Sequence, residues 1–331
     1  MKSAKGISMK RSTKGEATYP PRPPVSPADY SIYFVVDAIV CAMVATVAII
    51  IAVNRDSVLP CVLAGMMESK LGLIAHEAAH GAAPRWLMWL YDAAMGSKSQ
   101  WIAKHNKQHH IKTNTLHDPD IQLSPVMRIH PDQPHYWFHK YQHIYQFPLF
   151  CLIPFGLRLQ GVIYLHRECP WEEILKHWIL ATPATLLYFV WPIMTFGIPG
   201  LKFFLVENFT VGLIYGCLFS VSHVNNLVTF SPEAKSAYEH QLLTTADWAP
   251  GSTLANYFTG GLNHQVVHHL YPHYPSYAYP GLSKWLLEEV KGDYMIMGGG
   301  LSAALRSNSK WLRKMGKGGE GMKTRRGGEG R

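Results

Sequence analysis

Residues 32–53 read IYFVVDAIVCAMVATVAIIIAV, an apolar stretch whose one charged residue, Asp37, stands near its beginning. A helix needs about 20 mostly apolar residues to cross the hydrocarbon core of a bilayer, so this stretch predicts a membrane span. The composition agrees, because 48% of the 331 residues are hydrophobic and only 16% are charged, whereas about 25% are charged in soluble domains. The sequence therefore predicts an all-α integral membrane protein.

Three further stretches are long and apolar enough to form spans, at 58–80, 176–196 and 203–223. Short turns at 54–57 and 197–200 would join the four helices into two hairpins. The second span is the least regular, since it contains Glu68 and Lys70, and a charge at the bilayer centre costs at least about 3 kcal/mol. We expect four transmembrane helices in two hairpins, with a cytosolic helical cap that holds a di-iron site.

A fifth apolar stretch, at 148–165, is interrupted by Pro154, Gly156 and Arg158. Such interruptions are typical of interfacial or re-entrant segments rather than of a continuous span. Four crossings would then leave both ends of the chain on the same side of the membrane.

The net charge of +9 is concentrated at the two ends of the chain. Residues 1–30 contain six Lys/Arg and two Asp/Glu, and residues 306–331 contain nine and two, which leaves a net charge of −2 for the remainder. The positive-inside rule places both ends in the cytosol. We therefore expect a basic N-terminal tail at 1–30, a membrane domain at 31–297 and a basic, disordered C-terminal tail at 298–331. A nucleic-acid-binding groove is excluded, because it would need basic residues on the folded body.

Histidine is unusually frequent, with 18 copies, and eight of them fall in three clusters. The clusters are His76-Glu-Ala-Ala-His80, His105-Asn-Lys-Gln-His109-His110 and His264-Gln-Val-Val-His268-His269. Residues four apart share one face of an α-helix, and adjacent residues point about 100° apart. Each H-x-x-x-H-H string can therefore offer two imidazoles to one metal and a third to its neighbour. Eight histidines exceed the needs of one tetrahedral zinc and suit a two-metal centre, for which iron is a natural occupant.

Other interpretations of these histidines predict different functions. His135, His139 and His143 also recur at four-residue spacing, but their string is rich in aromatic residues typical of a membrane interface. The first cluster matches the H-E-x-x-H signature of zinc metalloproteases, in which Glu77 would be the general base, yet that function leaves the other clusters unused. A histidine-rich metal transporter would need its ligands midway through the spans rather than at their ends.

Together these strings resemble the three histidine boxes of the membrane fatty acid desaturase superfamily, H-x(3,4)-H, H-x(2,3)-H-H and (H/Q)-x(2,3)-H-H. The resemblance covers roughly residues 60–285. Thr113-Asn114 and Asp118-Pro-Asp-Ile121 are similar to the sequence that follows the second box of acyl-lipid desaturases. Asn256-Tyr-Phe-Thr-Gly-Gly-Leu-Asn263 and Leu270-Tyr-Pro-His-Tyr-Pro275 are similar to the surroundings of the third box in front-end desaturases.

The resemblance implies nine iron ligands, the ninth being an isolated histidine near the end of the last span. The implied set is His76, His80, His105, His109, His110, His223, His264, His268 and His269. Front-end enzymes begin the third box with glutamine, which makes Gln265 an alternative to His264, although imidazole binds iron better than an amide does. Asp118 and Asp120 are expected to accept N–H bonds from ligand imidazoles, and Asn226 or its neighbour Asn225 to hold a water on one iron.

The implied activity is desaturation of an acyl lipid or acyl-CoA by O2 at two irons. No His-Pro-Gly-Gly string of a haem-binding domain stands before the spans, so the electrons are expected to come from a separate cytochrome b5 or ferredoxin. A fatty acyl or sphingoid hydroxylase would use the same ligands. The expected location is the endoplasmic reticulum, with a plastid or bacterial inner membrane as alternatives.

Overall fold

Residues 30–290 and 294–317 are described by the computed structural model, so the predictions for 1–29 and 318–331 lie outside the described part. Nearly all regular structure in that part is helical. The α-helices are α1 Ser31–Arg55, α2 Val58–His80, α3 Trp89–Ala94, α4 Lys98–Trp101, α5 His110–Lys112, α6 Gln142–Phe150, α7 Ile153–Glu168, α8 Trp171–Thr185, α9 Trp191–Phe196, α10 Ile198–Val221, α11 Ala237–Thr244, α12 Thr253–Thr259, α13 Gln265–Leu270, α14 Tyr279–Val290 and α15 Gly300–Met315.

Shorter elements connect these helices. Two π-helical segments, Ile102–His109 and Leu186–Val190, precede α5 and α9. Three 3₁₀ turns lie at Arg85–Met88, Trp137–Tyr141 and Ser276–Ala278. The strands β1 Asp247–Trp248 and β2 Ile296–Met297 form one short parallel pair.

Four helical segments are long and apolar enough to cross a membrane, as the sequence predicts. They are α1, α2, the continuous stretch Trp171–Phe196 formed by α8 and α9, and α10. The third begins five residues before the predicted boundary at 176, and α10 begins at Ile198 rather than at 203. Gly200 lets α9 and α10 approach closely, because a Cβ there would lie 1.9 Å from the carbonyl oxygen of Pro192.

The interrupted stretch at 148–165 forms a sharply bent helical pair. Trp137–Phe150 and Ile153–Glu168 meet at 73°, the geometry of a broken span or a re-entrant loop. The bend packs against α10 at two glycines. A Cβ on Gly212 would lie 2.3 Å from the carbonyl oxygen of Phe150, and one on Gly216 would lie 2.1 Å from the Phe150 ring. Glycine at both positions therefore allows the bend to approach the α10 backbone.

The charges of α2 are paired inside the protein. Lys70 Nζ lies 3.3 Å from Asp37 Oδ2 of α1 and donates a 2.6 Å hydrogen bond to the carbonyl oxygen of Tyr257 in α12. The Tyr257 hydroxyl donates in turn to Asp37 Oδ1 at 2.6 Å. Because both charged side chains are buried, this network offsets much of the cost of removing them from water.

Glu68 is paired with a residue of the bent segment. One amino group of the Arg158 guanidinium lies 3.2 Å from Glu68 Oε1, and the other donates to the side chain of Asn208 in α10. Arg158 Nε also donates to the carbonyl oxygen of Ala94 at 2.9 Å. The charge that interrupts the second span and the charge that interrupts 148–165 are therefore partners.

The prediction of a disordered tail from residue 298 is wrong for residues 300–315, which form α15. Trp311 Nε1 donates to the carbonyl oxygen of Ile129 at 3.0 Å, and Arg128 donates to the carbonyl oxygen of Met315 at 2.8 Å. The basic composition hid an amphipathic pattern, in which one face of α15 is buried and the other carries its cations. The buried face comprises Ala304, Asn308, Trp311, Leu312 and Met315.

We predict that Lys70→Met destabilises the folded protein by about 3–5 kcal/mol, because it leaves the Asp37 carboxylate buried without its cation. Thermal unfolding of the detergent-solubilised protein measures this loss. Lys202→Met is the matched control, since Lys202 pairs with Asp56 at the exposed end of α10 and such pairs contribute at most about 1 kcal/mol. Equal melting temperatures for the two variants would contradict the stabilising role of the buried pair.

Candidate metal centre

Eight of the nine predicted histidine ligands converge where α2 ends. They form three overlapping groups made of histidines alone, and within each group the candidate ligand atoms lie within 4.8 Å of one another. These groups are His76, His80, His105 and His268; His109, His223 and His269; and His110, His268 and His269. A fourth group joins His105 and His109 to Asp120. Each of the three histidine groups combines histidines from different boxes, so the fold brings all three boxes to one place.

The second box lies on a π-helical segment, which the regular helical spacing of the prediction missed. His105 and His109 lie within Ile102–His109, and their rings stack with centroids 5.1 Å apart. They share the group that contains Asp120 and otherwise belong to different histidine groups, whereas the sequence expectation paired them on one metal. His105 Nε2 lies 3.0 Å from His76 Nε2 and 3.2 Å from His110 Nε2.

The third box also differs from expectation at its first residue. His264 precedes α13 as its N-cap, with the non-helical angles φ −106° and ψ 55°. Its side chain therefore does not share a helix face with that of His268, four residues later. It is buried outside the histidine groups, with Nδ1 3.8 Å from Asp247 Oδ2. Gln265 instead places Nε2 2.8 Å from His223 Nε2. The geometry therefore favours Gln265 over His264 as the residue that faces the cluster.

The outward-facing nitrogens of four imidazoles have hydrogen-bonding partners. His109 Nδ1 lies 3.0 Å from Asp118, and His269 Nδ1 lies 2.8 Å from Gln241 Oε1. His223 Nδ1 lies 3.3 Å from the carbonyl oxygen of Thr244. His268 Nδ1 lies 3.3 Å from the Tyr279 hydroxyl oxygen. A proton on Nδ1 leaves a lone pair on Nε2, the arrangement found in histidines that bind metals.

Two inward-facing nitrogens provide a direct test of whether the residues fit a metal. His80 Nε2 and His268 Nε2 are buried and have no hydrogen-bond partner among residues 30–290 and 294–317. An unsatisfied buried nitrogen costs about 1–3 kcal/mol, and coordination to a cation would remove that cost. The donor set of imidazoles without thiolates suits iron among other transition metals.

Asp118 and Asp120 lie beside the imidazoles of candidate ligands, the position expected from the sequence analysis. Asp118 is fully buried and also accepts hydrogen bonds from the backbone amides of Asn114 and Asp120, each at 2.9 Å. Asp120 lies 3.5 Å from His105 Nδ1 and 3.1 Å from Lys104 Nζ. Burial lowers the pKa of His109, but the two carboxylates outweigh this effect and raise it above its ordinary value.

The other imidazoles remain uncharged at neutral pH. Burial, followed by repulsion from neighbouring imidazoles, holds the pKa values of His110, His268 and His269 well below the ordinary histidine value. Burial also lowers the pKa of His223 to about 3. Neutral imidazole is the form that binds metals, so the cluster is prepared for coordination.

The prediction that Asn226 holds a metal-bound water is wrong. Its side chain is exposed, and Nδ2 donates to the carbonyl oxygen of Ser307 in α15 at 3.3 Å. Asn225 is buried, but its amide nitrogen donates to the carbonyl oxygen of Val221 at 2.9 Å. After His223 the chain turns toward α15, which removes both asparagines from the cluster.

Two other candidates, the exposed His135 and the buried His139, have hydrogen-bond partners within the protein and need no metal. His135 Nε2 lies 3.0 Å from the carbonyl oxygen of Gly316, and His139 Nε2 lies 2.8 Å from that of Pro125. Both histidines lie outside the groups, as expected. The Glu77 carboxylate accepts hydrogen bonds from the Ser276 amide at 2.8 Å and from its hydroxyl at 2.6 Å, which leaves it unsuited to the role of protease base.

No sequence pattern indicated Gln241, Thr244 and Tyr279, the three further hydrogen-bond partners of the imidazoles. They lie outside the histidine boxes, in or next to α11 and at the start of α14. Their residue types are common at any buried position, so only the fold shows that they contact the cluster.

A small apolar pocket of about 10 Å³ lies against His76, where α2 and α10 face each other. A Cβ on Gly72, one helical turn below His76, would lie 1.9 Å from the Tyr215 hydroxyl oxygen, so glycine is needed for α2 and α10 to approach at this depth. The pocket is lined by Gly72, Leu73, His76, Tyr91, Trp101, Leu157, Tyr215 and Phe219.

The helical spans, the three histidine boxes and this pocket are those of a membrane lipid-modifying oxidoreductase, and residues 57–299 match the family model described as fatty acid desaturase. The chain belongs to the fatty acid desaturase family. Its relatives include the sn-1 linoleoyl-lipid 6-desaturase of Arthrospira platensis, which is 28% identical over 88% of each chain.

Further relatives carry related names. The sn-1 linoleoyl-lipid 6-desaturase of Synechocystis is 30% identical over 78% of this chain and 82% of its own. The chloroplastic acyl-lipid (7-3)-desaturase of Chlamydomonas reinhardtii is 28% identical over 69% of this chain and half of its own. Enzymes of this family act on acyl lipids with O2, and these relatives fit a plastid or bacterial membrane.

We predict that Asp118→Asn weakens metal binding about 10- to 100-fold, because the amide lacks the charge that orients and polarises His109. Titration of the purified protein with Co²⁺ measures the affinity. Asp132→Asn is the control, since Asp132 is exposed and lies 3.8 Å from His130, a histidine outside the cluster. The role assigned to Asp118 fails if both variants bind Co²⁺ as tightly as the unaltered protein.

Proposed function

We propose that this protein is an acyl-lipid desaturase that introduces a double bond into a fatty acyl chain. The reaction converts –CH2–CH2–, O2, two electrons and two protons into –CH=CH– and two waters, so an external donor must supply the two electrons. The observation that carries the proposal is the convergence of eight histidines, six of them buried and two partly buried, beside an apolar pocket between the spans.

The proposed cofactor is a pair of iron ions. One iron would be held by His76, His80, His105 and His268, and the other by His109, His223, His269 and Gln265, with His110 between them. Bound iron would supply O2 activation, which amino-acid side chains cannot provide. The chain's own residues orient the imidazoles through their Nδ1 partners and exclude water from the cluster.

The apolar pocket is the proposed entry point for the acyl chain, and its volume of about 10 Å³ would have to widen to admit the chain. Its aromatic and aliphatic lining offers no charge to a substrate, and His76 at its edge would bring one pair of methylenes close to the metals. The names of the relatives support a lipid-bound rather than a CoA-bound acyl chain. Those names differ in the position of the double bond, so the position is left to experiment.

We further propose two helical hairpins with the histidine cluster and both termini on the cytosolic or stromal side, and the bent pair at 137–168 as a re-entrant loop. The short turns after α1 and α9 then face the opposite side. Relatives from cyanobacteria and a chloroplast favour a plastid or bacterial membrane over the endoplasmic reticulum, and ferredoxin over cytochrome b5 as the electron donor.

Expression in a host that lacks this activity, followed by gas chromatography–mass spectrometry of its lipids, tests the function. We expect a new unsaturated fatty acid that disappears with His268→Ala and persists with His139→Ala. A hydroxylated product would instead identify a hydroxylase of the same class. An active His268→Ala variant would contradict the metal assignment.

The third box provides a sharper test of the ligand set. We expect Gln265→Ala to reduce iron content and product yield more than His264→Ala does, because only Gln265 faces His223. Iron analysis of the purified variants measures the first effect and fatty acid analysis the second. The opposite order would show that His264 is the ligand and that α13 begins one residue earlier when metal is bound.

A further inference from the structure

Tyr279 is a buried residue outside the histidine boxes that touches one of the candidate ligands. Its side chain is 1% exposed, and its hydroxyl oxygen lies 3.3 Å from His268 Nδ1. Among residues 30–290 and 294–317, the Tyr279 hydroxyl forms no other hydrogen bond. A tyrosine hydroxyl is rarely buried without a specific partner, so this contact is the one to explain.

The geometry at His268 determines which atom must carry the proton. Its Nε2 lies among the candidate ligand atoms of His76, His80 and His105 and has no hydrogen-bond partner there. Coordination through Nε2 requires the proton on Nδ1, and the Nδ1–H group then needs an acceptor. The Tyr279 hydroxyl oxygen is the acceptor within reach.

The first box holds Tyr279 in place. Ser276, three residues earlier, donates two hydrogen bonds to Glu77, which follows the ligand candidate His76. The carbonyl oxygen of Ser276 also accepts a 3.0 Å hydrogen bond from Asn256. The turn that leads into α14 is therefore fixed to α2 on one side and to α12 on the other.

The ring of Tyr279 has little freedom to move away from His268. A Cβ on Gly261 would lie 2.6 Å from that ring, and Gly261 has φ +80°, a conformation that favours glycine. The backbone just before the third box thus packs directly against Tyr279. The backbone at Gly261 therefore restricts the Tyr279 ring, and the hydrogen bonds of Ser276 fix the turn before it.

We propose that Tyr279 is a positioning residue for the metal centre, which fixes the ring of His268 by accepting its Nδ1 proton. Glu77, between the two histidines of the first box, holds Tyr279 there through Ser276. This inference rests on the proposed metal-dependent function. It gives the glutamate of the H-E-x-x-H string a structural task in place of proteolysis, and it couples the first box to the third.

The test uses purified full-length protein titrated with Co²⁺, whose visible absorption reports ligand geometry without any need for turnover. We expect Tyr279→Phe to bind at least one Co²⁺ about 10- to 100-fold more weakly, with an altered spectrum and an unchanged helical content. Tyr145→Phe is the matched control, because it also loses one neutral hydrogen bond, to the carbonyl oxygen of Val126 at 2.7 Å, away from the cluster.

A double-mutant cycle separates positioning from general destabilisation. In a His268→Ala background, Tyr279→Phe should weaken Co²⁺ binding no further. An equal loss in both backgrounds, or unaltered binding and spectrum for Tyr279→Phe, overturns the inference. Ser276→Ala, which removes one of the two bonds to Glu77, should weaken binding in the same direction but less, and it keeps the inference testable if Tyr279→Phe fails to fold. If the unaltered protein binds no Co²⁺, the proposed metal centre itself is wrong.

Discussion

The structure depends on the need to neutralise the charged groups of α2 inside a span. Lipid tails offer no hydrogen bonds, so every polar group of this helix must find its partner in another part of the chain. Lys70 finds it in α1 and α12, Glu68 in α7, and Glu77 in the turn before α14. These three contacts join segments far apart in sequence to one helix, and they fix their positions relative to it.

The same helix ends in the first histidine box, so its contacts also determine the geometry of the cluster. Glu77 and Lys70 fix the regions that follow and precede the third box, and His76 and His80 then face His268 across a short distance. The polar groups that make α2 a poor span are the ones that align two boxes. An apolar substitute for these residues would insert more readily and would leave the third box without this support.

Composition and spacing predicted the four spans and seven of the converging histidines, and the resemblance implied the eighth, His223. The prediction failed where conformation departs from a regular helix. His264 was expected to face the cluster, but it lies at an N-cap. His105 and His109 lie on a π-helical turn and were expected to share a metal, but they belong to different histidine groups and meet only in the group with Asp120. Asn226 was wrongly expected near the metals, because the direction of the chain after His223 depends on its contacts with α15. That helix was not predicted, because its many basic residues concealed the apolar residues of its buried face. Partners such as Gln241 come from distant segments and carry no local pattern.

The contact between α15 and the chain after α10 bears on the order in which the molecule is assembled. Asn308 of α15 donates a hydrogen bond to the carbonyl oxygen of Val224, the residue that follows His223. During synthesis the four spans and all three boxes emerge before this helix does. The His223 loop thus acquires this support only after α15 has been synthesised, so this contact forms later than the insertion of the spans.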